Sequence, residues 1–339
     1  MPITRDQLMI HKSPRSVPTL TVIAEELGIS RSTVSRAFTR PEVLRPETVA
    51  RVLGVAQRMG YAPNHAARAL STGRNGNIAL IVPDIANPFF PPLIRAAQVG
   101  ADDQNYCVLL GDSAEQPAHE SRLITRFMPQ VDGFVLASSR LASSALIEHA
   151  KRCPIVLVNR DVTGIRRVLI DAREGVAQAV AHLHELGHRK IAYVGGPSTS
   201  WSDRQRHRAV STAAAAHRMR VDMFRARPAT YEGAEATVGG LLASKATAAI
   251  AFDDAVAHGI LAGMAAVGVR VPADFSVIGC DDVLAATTYP PMTTISLRCA
   301  EAGQRAVRLL LDAISGGGGN NVRESLGSHL VVRSTTASP

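Results

Sequence analysis

Apolar positions between residues 19 and 60 recur at helical spacing. Leu20, Ile23, Ala24 and Leu27 fall at i, i+3, i+4 and i+7, which is one helix face, and Gly28-Ile29-Ser30 then breaks the pattern with a stop residue and a capping serine. A second short helix starts at Arg31. Val34, Ala37 and Phe38 give it an apolar side, while Arg31, Ser32, Thr33, Ser35 and Arg36 crowd the other side and the first turn. Pro46, the series Val49, Val52, Leu53 and Ala56, and a stop at Gly60 predict a third helix. Three such helices can close a small core. Asn64 can cap a helix over 65–71, too short to hold itself together in water, and the polar run 71–77 with its two glycines reads as a linker. Beyond it the period changes. β-Prone runs at 78–82, 107–110, 134–136, 155–158, 191–194, 248–252 and 277–279 alternate with helical patterns, which predicts parallel sheets wound with helices on both faces.

Charge sharpens the reading of the front end. Residues 1–74 carry 11 Lys/Arg against 5 Asp/Glu, whereas residues 75–339 carry 26 against 24, so most of the net +8 lies in under a quarter of the chain. A basic helical unit whose second helix presents Arg and hydroxyl side chains fits a helix-turn-helix, with that helix entering the major groove of duplex DNA. Arg31, Ser32 and Arg36 are the candidates for base contact. Thr33, Ser35, Thr39, Arg40, Arg45 and Thr48 are candidates for phosphates, which position a domain without specifying sequence. A polar-surfaced bundle with no nucleic-acid partner is the plain alternative that the charge disfavours.

Other classes find little support. Cys107, Cys153, Cys280 and Cys299 show neither CxxC nor CxxxH spacing, so they read as reduced core residues, and nothing calls for a metal or a cofactor. No run of 18 apolar residues exists, and residues 1–18 hold Arg, Asp, Lys and Pro where a signal peptide needs an apolar stretch. They read as a disordered extension of a cytoplasmic protein with no membrane partner. The glycines at 316–319 lack the Lys-Ser/Thr of a phosphate loop, and neither a strand-linked GxGxxG nor a GxSxG elbow is present, which counts against an α/β enzyme. A solute receptor without a DNA role would suit the core but not the basic head.

Ligands of open parallel sheets sit at the carboxyl ends of strands. The residues there are polar: Asp84, Asn87, Phe89 and Phe90 after the first run, Ser138, Ser139 and Arg140 after the third, Asn159 and Arg160 after the fourth. Residues 201–206, Asp253-Asp254 and Asp281-Asp282 follow in the second half. Carboxylates and amides beside an arginine, with an aromatic face, suit a hydroxyl-rich ligand such as a sugar or sugar derivative. Phe89 and Phe90 either line the pocket or plug the lobe; Trp201 either stacks on a ring or packs the lobe. Asp254 and Asp282 read as caps or strand-end partners rather than ligands.

Ordered motifs along nearly the whole chain resemble the LacI/GalR (lactose-repressor) family of bacterial transcription regulators. They include Thr33-Val-Ser-Arg36, Gly60-Tyr-Ala-Pro-Asn64, Ala67-Arg-Ala-Leu70, Asn87-Pro-Phe-Phe90, Gly187-His-Arg189, Gly279-Cys-Asp-Asp282 and Pro290-Pro-Met-Thr-Thr-Ile295. The resemblance implies a helix-turn-helix head at 19–63 and a hinge helix and linker at 64–77. The hinge would order on a pseudo-palindromic operator, with Asn64, Ala67 and Arg68 against DNA and Leu70 as a wedge between base steps. It implies a two-lobed, periplasmic-binding-protein-like effector and dimerisation core at 78–339. Lobe 1 is placed at about 78–170 and 300–325, and lobe 2 at about 171–299 and 326–339. Position by position, Arg206 matches the family's ligand-binding arginine, and Asp281 the first Asp of its Gly-aromatic-Asp-Asp. Cys280 replaces the aromatic residue, which could open room beside the ligand. Asp253 stands where Asn is common, which argues against a carboxylate or phosphate at that point. Asn159 matches a position that binds a sugar hydroxyl. The expectation is an allosteric homodimeric repressor; whether its effector induces or corepresses is not legible, and a tetramer is not expected without leucine heptads.

Overall fold

The computed structural model describes residues 18–61 and 74–339. Expectations for the amino-terminal extension up to residue 17, and for Asn64, Ala67, Arg68 and Leu70 of the hinge helix, lie outside the described residues. The chain divides into two units, 1–75 and 76–339.

In the first unit, helices α1 (Leu20–Leu27), α2 (Arg31–Thr39) and α3 (Pro46–Met59) surround Ile23, Ala24, Val34, Ala37, Val52, Val55 and Ala56. Their ends are fixed by local chemistry. The Thr19 and Ser30 hydroxyls accept from the Val22 and Thr33 amides, Pro46 opens α3, and Gly28 and Gly60 close α1 and α3 at left-handed φ of 60° and 67°. One expectation shifts. Leu53 remains 43% exposed, and Val55 fills the core in its place because it shares a face with Val52 and Met59.

The second unit holds two six-stranded sheets. The first gathers β1 (Asn77–Val82), β2 (Cys107–Asp112), β3 (Phe134–Ala137), β4 (Ile155–Val158), β5 (Arg166–Ile170) and β11 (Arg323–Leu326) in the order β11-β5-β4-β3-β1-β2, all parallel. The second gathers β6 (Lys190–Gly195), β7 (Arg220–Arg225), β8 (Ala248–Ala251), β9 (Ser276–Asp281), β10 (Thr293–Ser296) and β12 (His329–Val331) in the order β12-β10-β9-β8-β6-β7. Here β12 runs antiparallel to β10, so this sheet is mixed rather than wholly parallel. The chain passes between the sheets after β5, after β10 and after β11. Helices α4 (Phe90–Asp102), α5 (Pro117–Phe127), α6 (Ser143–Ala150) and α12 (Cys299–Ile314) serve the first sheet. Those serving the second are α7 (Arg173–Glu185), α8 (Trp201–Ala216), α9 (Tyr231–Glu235), α10 (Val238–Ala243) and α11 (Asp254–Ala266).

Five strands have no apolar run to announce them. β5 opens on Arg166 and Arg167, both buried. Arg166 donates to Asp312 Oδ2 at 2.6 Å and to the Leu309 carbonyl; Arg167 is held by Asp161 and by Asn321 Oδ1 at 2.8 Å. Paired in this way, two charges are tolerated inside a strand. β7 and β11 are edge strands with mixed sequences, and β10 and β12 are short. The cysteines also divide: Cys280 and Cys299 are buried as expected, Cys153 is half-buried, and Cys107 is exposed on edge strand β2.

The first lobe depends on close contact between α4 and α12. A Cβ added at Gly303 would lie 2.3 Å from the Leu93 carbonyl oxygen, a backbone atom that cannot swing aside. Gly303→Ala is expected to cost about 1–3 kcal/mol through overpacking. A lowered urea midpoint with an unchanged slope would show it; an unchanged midpoint would mean the helices separate freely.

Candidate functional site

The outer face of the head is built around the start of α2. Arg31 is its first residue, no acid lies in its first turn, and Arg31, Ser32 and Arg36 are exposed while Val34 and Ala37 face inward. A cation at the positive end of a helix opposes the macrodipole, so this turn is arranged for an external anion rather than for the helix itself. Neither arginine has an ion-pair partner among the described residues. The hydroxyls are partly engaged: Ser30 Oγ lies 2.7 Å from Ser32 Oγ and 2.8 Å from Thr33 Oγ1, and Thr39 donates to the Ser35 carbonyl at 3.0 Å. Thr48 is half-buried in the first turn of α3, and Arg40 and Arg45 are exposed beside it in sequence.

The second unit has a cavity of about 170 Å³ between its lobes, large enough for a small-molecule ligand. Its walls come from the carboxyl ends of strands in both sheets. Asp84, Asn87, Phe89 and Phe90 follow β1; Ser138 follows β3; Asn159 follows β4; Arg206 projects from α8; Asp253 follows β8; Asp281 ends β9. Ser138, Asn159 and Asp281 take φ of 50°, 52° and 119°, so three of these strands end in sharp reversals that bring short polar side chains to the cleft. Asn159 is fixed by its Oδ1, which accepts from the Ile170 amide at 3.0 Å. Phe89 and Phe90 meet edge to face at 5.1 Å and do both things considered for them: they line the cavity and belong to the lobe's apolar core.

Arg206 is the centre of the buried electrostatics. Its Nη2 lies 3.3 Å from Asp281 Oδ1, its Nη1 donates to the Phe252 carbonyl, and its guanidinium carbon sits 4.7 Å from the centre of the Phe252 ring. Its Nε is buried without a partner among the described residues. Asn87 Nδ2 donates to Asp253 Oδ2 at 3.0 Å, a direct bond between the lobes, while Asp253 Oδ1 caps α11 through the Val256 amide at 2.8 Å. Burial pushes the Asp253 and Asp281 carboxyls up, and the Arg206 charge opposes it at both.

Two expected residues are not brought to the cavity. The left-handed turn at Asn159 sends Arg160 away, and its Nη2 donates to the Leu141 carbonyl at 3.0 Å. Trp201 begins α8 between Ser200 and Ser202, which line the cavity instead, because successive helical positions lie about 100° apart. Cys280 lies in the core and is not among the residues of the cavity wall. Asp254 accepts from Thr294 Oγ1 and from the Val283 and Leu284 amides, and Asp282 pairs with Arg333, both as strand-end partners.

Several wall residues lie beyond the sequence reading. Phe252 immediately precedes Asp253; Glu115 follows β2; Pro228, Ala229 and Thr230 follow β7. Arg140, noted there only as a strand-end residue, is gripped by Glu115 through Nε at 2.5 Å and Nη2 at 2.7 Å, and its own amide donates to Glu120 Oε2 at 2.9 Å. Burial pushes the Glu120 carboxyl above its ordinary 4.5. A raised carboxyl stabilises the fold fully below 4.5 and loses that contribution as pH rises through its folded value. The melting temperature of Glu120→Gln, relative to the parent, is therefore expected to climb as pH goes from 4.5 to 8. A flat difference would contradict the shift.

A helix-turn-helix head on a two-lobed core with a ligand-sized cleft is the architecture of a DNA-binding regulator that answers to a small molecule. Residues 19–64 match the family described as bacterial regulatory proteins, lacI family, and residues 180–336 match the periplasmic binding protein-like domain. The HTH-type transcriptional repressor CytR of Escherichia coli is 32% identical over 334 residues, covering 96% of this chain and 98% of its own. The regulator CelR of Thermobifida fusca is 31% identical over 336 residues, covering 94% and 98%. The chain belongs to the LacI family, and it is a DNA-binding transcriptional regulator. Among solved structures, the lac repressor dimer bound to operator and the anti-inducer ONPF aligns with a TM-score of 0.84 at 25% identity, covering 94% of this chain and 99% of that one. A transcriptional regulator CelR–cellobiose complex aligns at 0.71 and 29%, with the same coverage. Among the described residues no helix is long and apolar enough to cross a membrane.

Proposed function

We propose that the protein is a cytoplasmic homodimeric repressor that holds a pseudo-palindromic operator and is controlled by a sugar bound between the lobes of its core. The observation that carries this reading is the interlobe cavity, where Asp84, Asn87, Asn159, Arg206, Asp253 and Asp281 converge beside phenylalanine rings. Such an array fits a ring with an apolar face and a hydroxyl edge. Relatives support it: besides the cellobiose complex, a LacI family regulator of Enterococcus faecalis with bound ribose is 29% identical, with a TM-score of 0.71, covering 78% of this chain and 99% of that one. The lac repressor relative is a dimer on operator DNA.

Arg31, Ser32 and Arg36 read base edges, and Thr33, Ser35, Thr39 and Thr48 hold phosphates. The ligand is bound rather than converted. Both lobes contribute to the cavity and are joined directly by Asn87 and Asp253, so a ligand that replaces this contact with its own shifts the population of lobe angles, and hence the grip of the paired heads. Gel retardation of DNA upstream of the gene and its neighbours, with and without a panel of neutral sugars, tests the proposal. A retarded fragment whose mobility responds to one sugar is the expected result; retardation of no fragment, or indifference to every sugar, would overturn it.

A further inference from the structure

We infer that the cavity accepts an uncharged sugar and excludes the phosphorylated and carboxylated forms of the same compound; this rests on the sugar reading above. Six charged side chains line the cavity: the carboxylates of Asp84, Glu115, Asp253 and Asp281, and the guanidiniums of Arg140 and Arg206. Both cations already face protein acceptors, with Arg206 Nε the one guanidinium nitrogen of the two left without a partner among the described residues. Arg140 spends Nε and Nη2 on Glu115 and Nη1 on the Ser138 carbonyl at 2.7 Å, and Arg206 faces Asp281 and the Phe252 carbonyl. Asp84 and Asp253 have no ion-pair partner among the described residues, leaving a surplus of two negative charges. Protons on both Asp253 and Asp281 would bring the lining to neutrality, never to a net positive charge.

The backbone reinforces this. Helix amino termini are the usual places for a phosphate, and three of them open on the cavity, each obstructed by its own chain. At α4, Pro91 and Pro92 have no N–H, and the Phe89 and Phe90 amides are taken by Asn87 Oδ1 at 2.9 Å and the Asn87 carbonyl at 3.1 Å. At α8, the first turn carries Asp203, itself paired with Arg225 at 2.9 Å, and its amide is held by Ser200. At α11, Asp253 supplies the anion. An incoming phosphate would meet like charge from the unpaired carboxylates and an acid at two of the three helix starts. The regulator would then report a sugar pool that a phosphoryl transfer to the sugar, or an oxidation of it to an acid, removes.

Isothermal titration of the full-length protein tests this, with ribose, glucose and cellobiose each set beside an anionic counterpart: ribose 5-phosphate, glucose 6-phosphate, gluconate and cellobionate. A neutral member is expected to bind, its anionic partner at least 100-fold more weakly. In Glu115→Gln, which frees Arg140 and removes a charge, the gap should narrow to under 10-fold. An anionic form that binds as tightly as its neutral partner, or a gap unchanged in the variant, would overturn the inference while leaving the sugar reading in place. Silence from every compound would reject both.

Discussion

Arg206→Lys protein is expected to retard operator DNA as the parent does, and to need 10- to 100-fold more sugar for the same response. The guanidinium reaches three directions at once: Asp281, the Phe252 carbonyl and the cavity, over an aromatic ring. Lysine keeps the charge but replaces a rigid planar fork with a single point donor. Hydrogen bonds to a charged group contribute about 1.5–3 kcal/mol each, so loss of one toward the ligand corresponds to that range of affinity. Lysine is the informative choice. Alanine would leave Asp281 buried and unpaired, at a cost of about 3–5 kcal/mol, which is a large part of the ~5–15 kcal/mol that holds a domain together. Titration calorimetry on the variant, with its melting curve as a control for folding, reads the effect. Unchanged affinity in a folded variant would remove Arg206 from the ligand's contacts.

Local signals made the head legible. Caps and stops are written in adjacent residues, so Ser30, Pro46, Gly28 and Gly60 announce the helices they bound, whereas the choice between Leu53 and Val55 for the core depends on how α3 rolls against its neighbours. In the core, strands rich in Val, Ile and Leu were visible, but β5 was not, because its buried arginines find their partners 140 or more residues away in Asp312 and Asn321. The site followed from one rule, that strand ends bear ligands. It found residues from β1, β3, β4, β8 and β9 and lost Pro228, Ala229 and Thr230 because β7, an edge strand, was not recognised. Glu115 was within reach of the same rule, three residues past β2. Trp201 is the chain's single tryptophan and follows a strand end, but neither fact carries direction; the pitch of α8 decides which neighbour faces the cleft.

The largest effect on the DNA side is expected from Arg31. Its side chain leaves the first position of α2, exposed, without an acid in the turn to neutralise it and with no described ion pair. An arginine bidentate to guanine discriminates by about 1–3 kcal/mol per base pair, whereas an arginine on a phosphate strengthens every sequence alike. Arg31→Ala should therefore weaken binding to the operator by about 5- to 150-fold for each half-site, hold binding to scrambled DNA nearly constant, and relax the preference at one position in each half-site. Arg45→Ala is the contrasting variant. Exposed before the first turn of α3, it should weaken operator and scrambled DNA together and lower the slope of log K against log salt by roughly 0.9 per contact and per head. Fluorescence anisotropy at several salt concentrations separates the two behaviours. Equal loss on operator and scrambled DNA for Arg31→Ala would move that side chain from the base edges to the backbone, and the reading of α2 would then have to rest on Ser32 and Arg36.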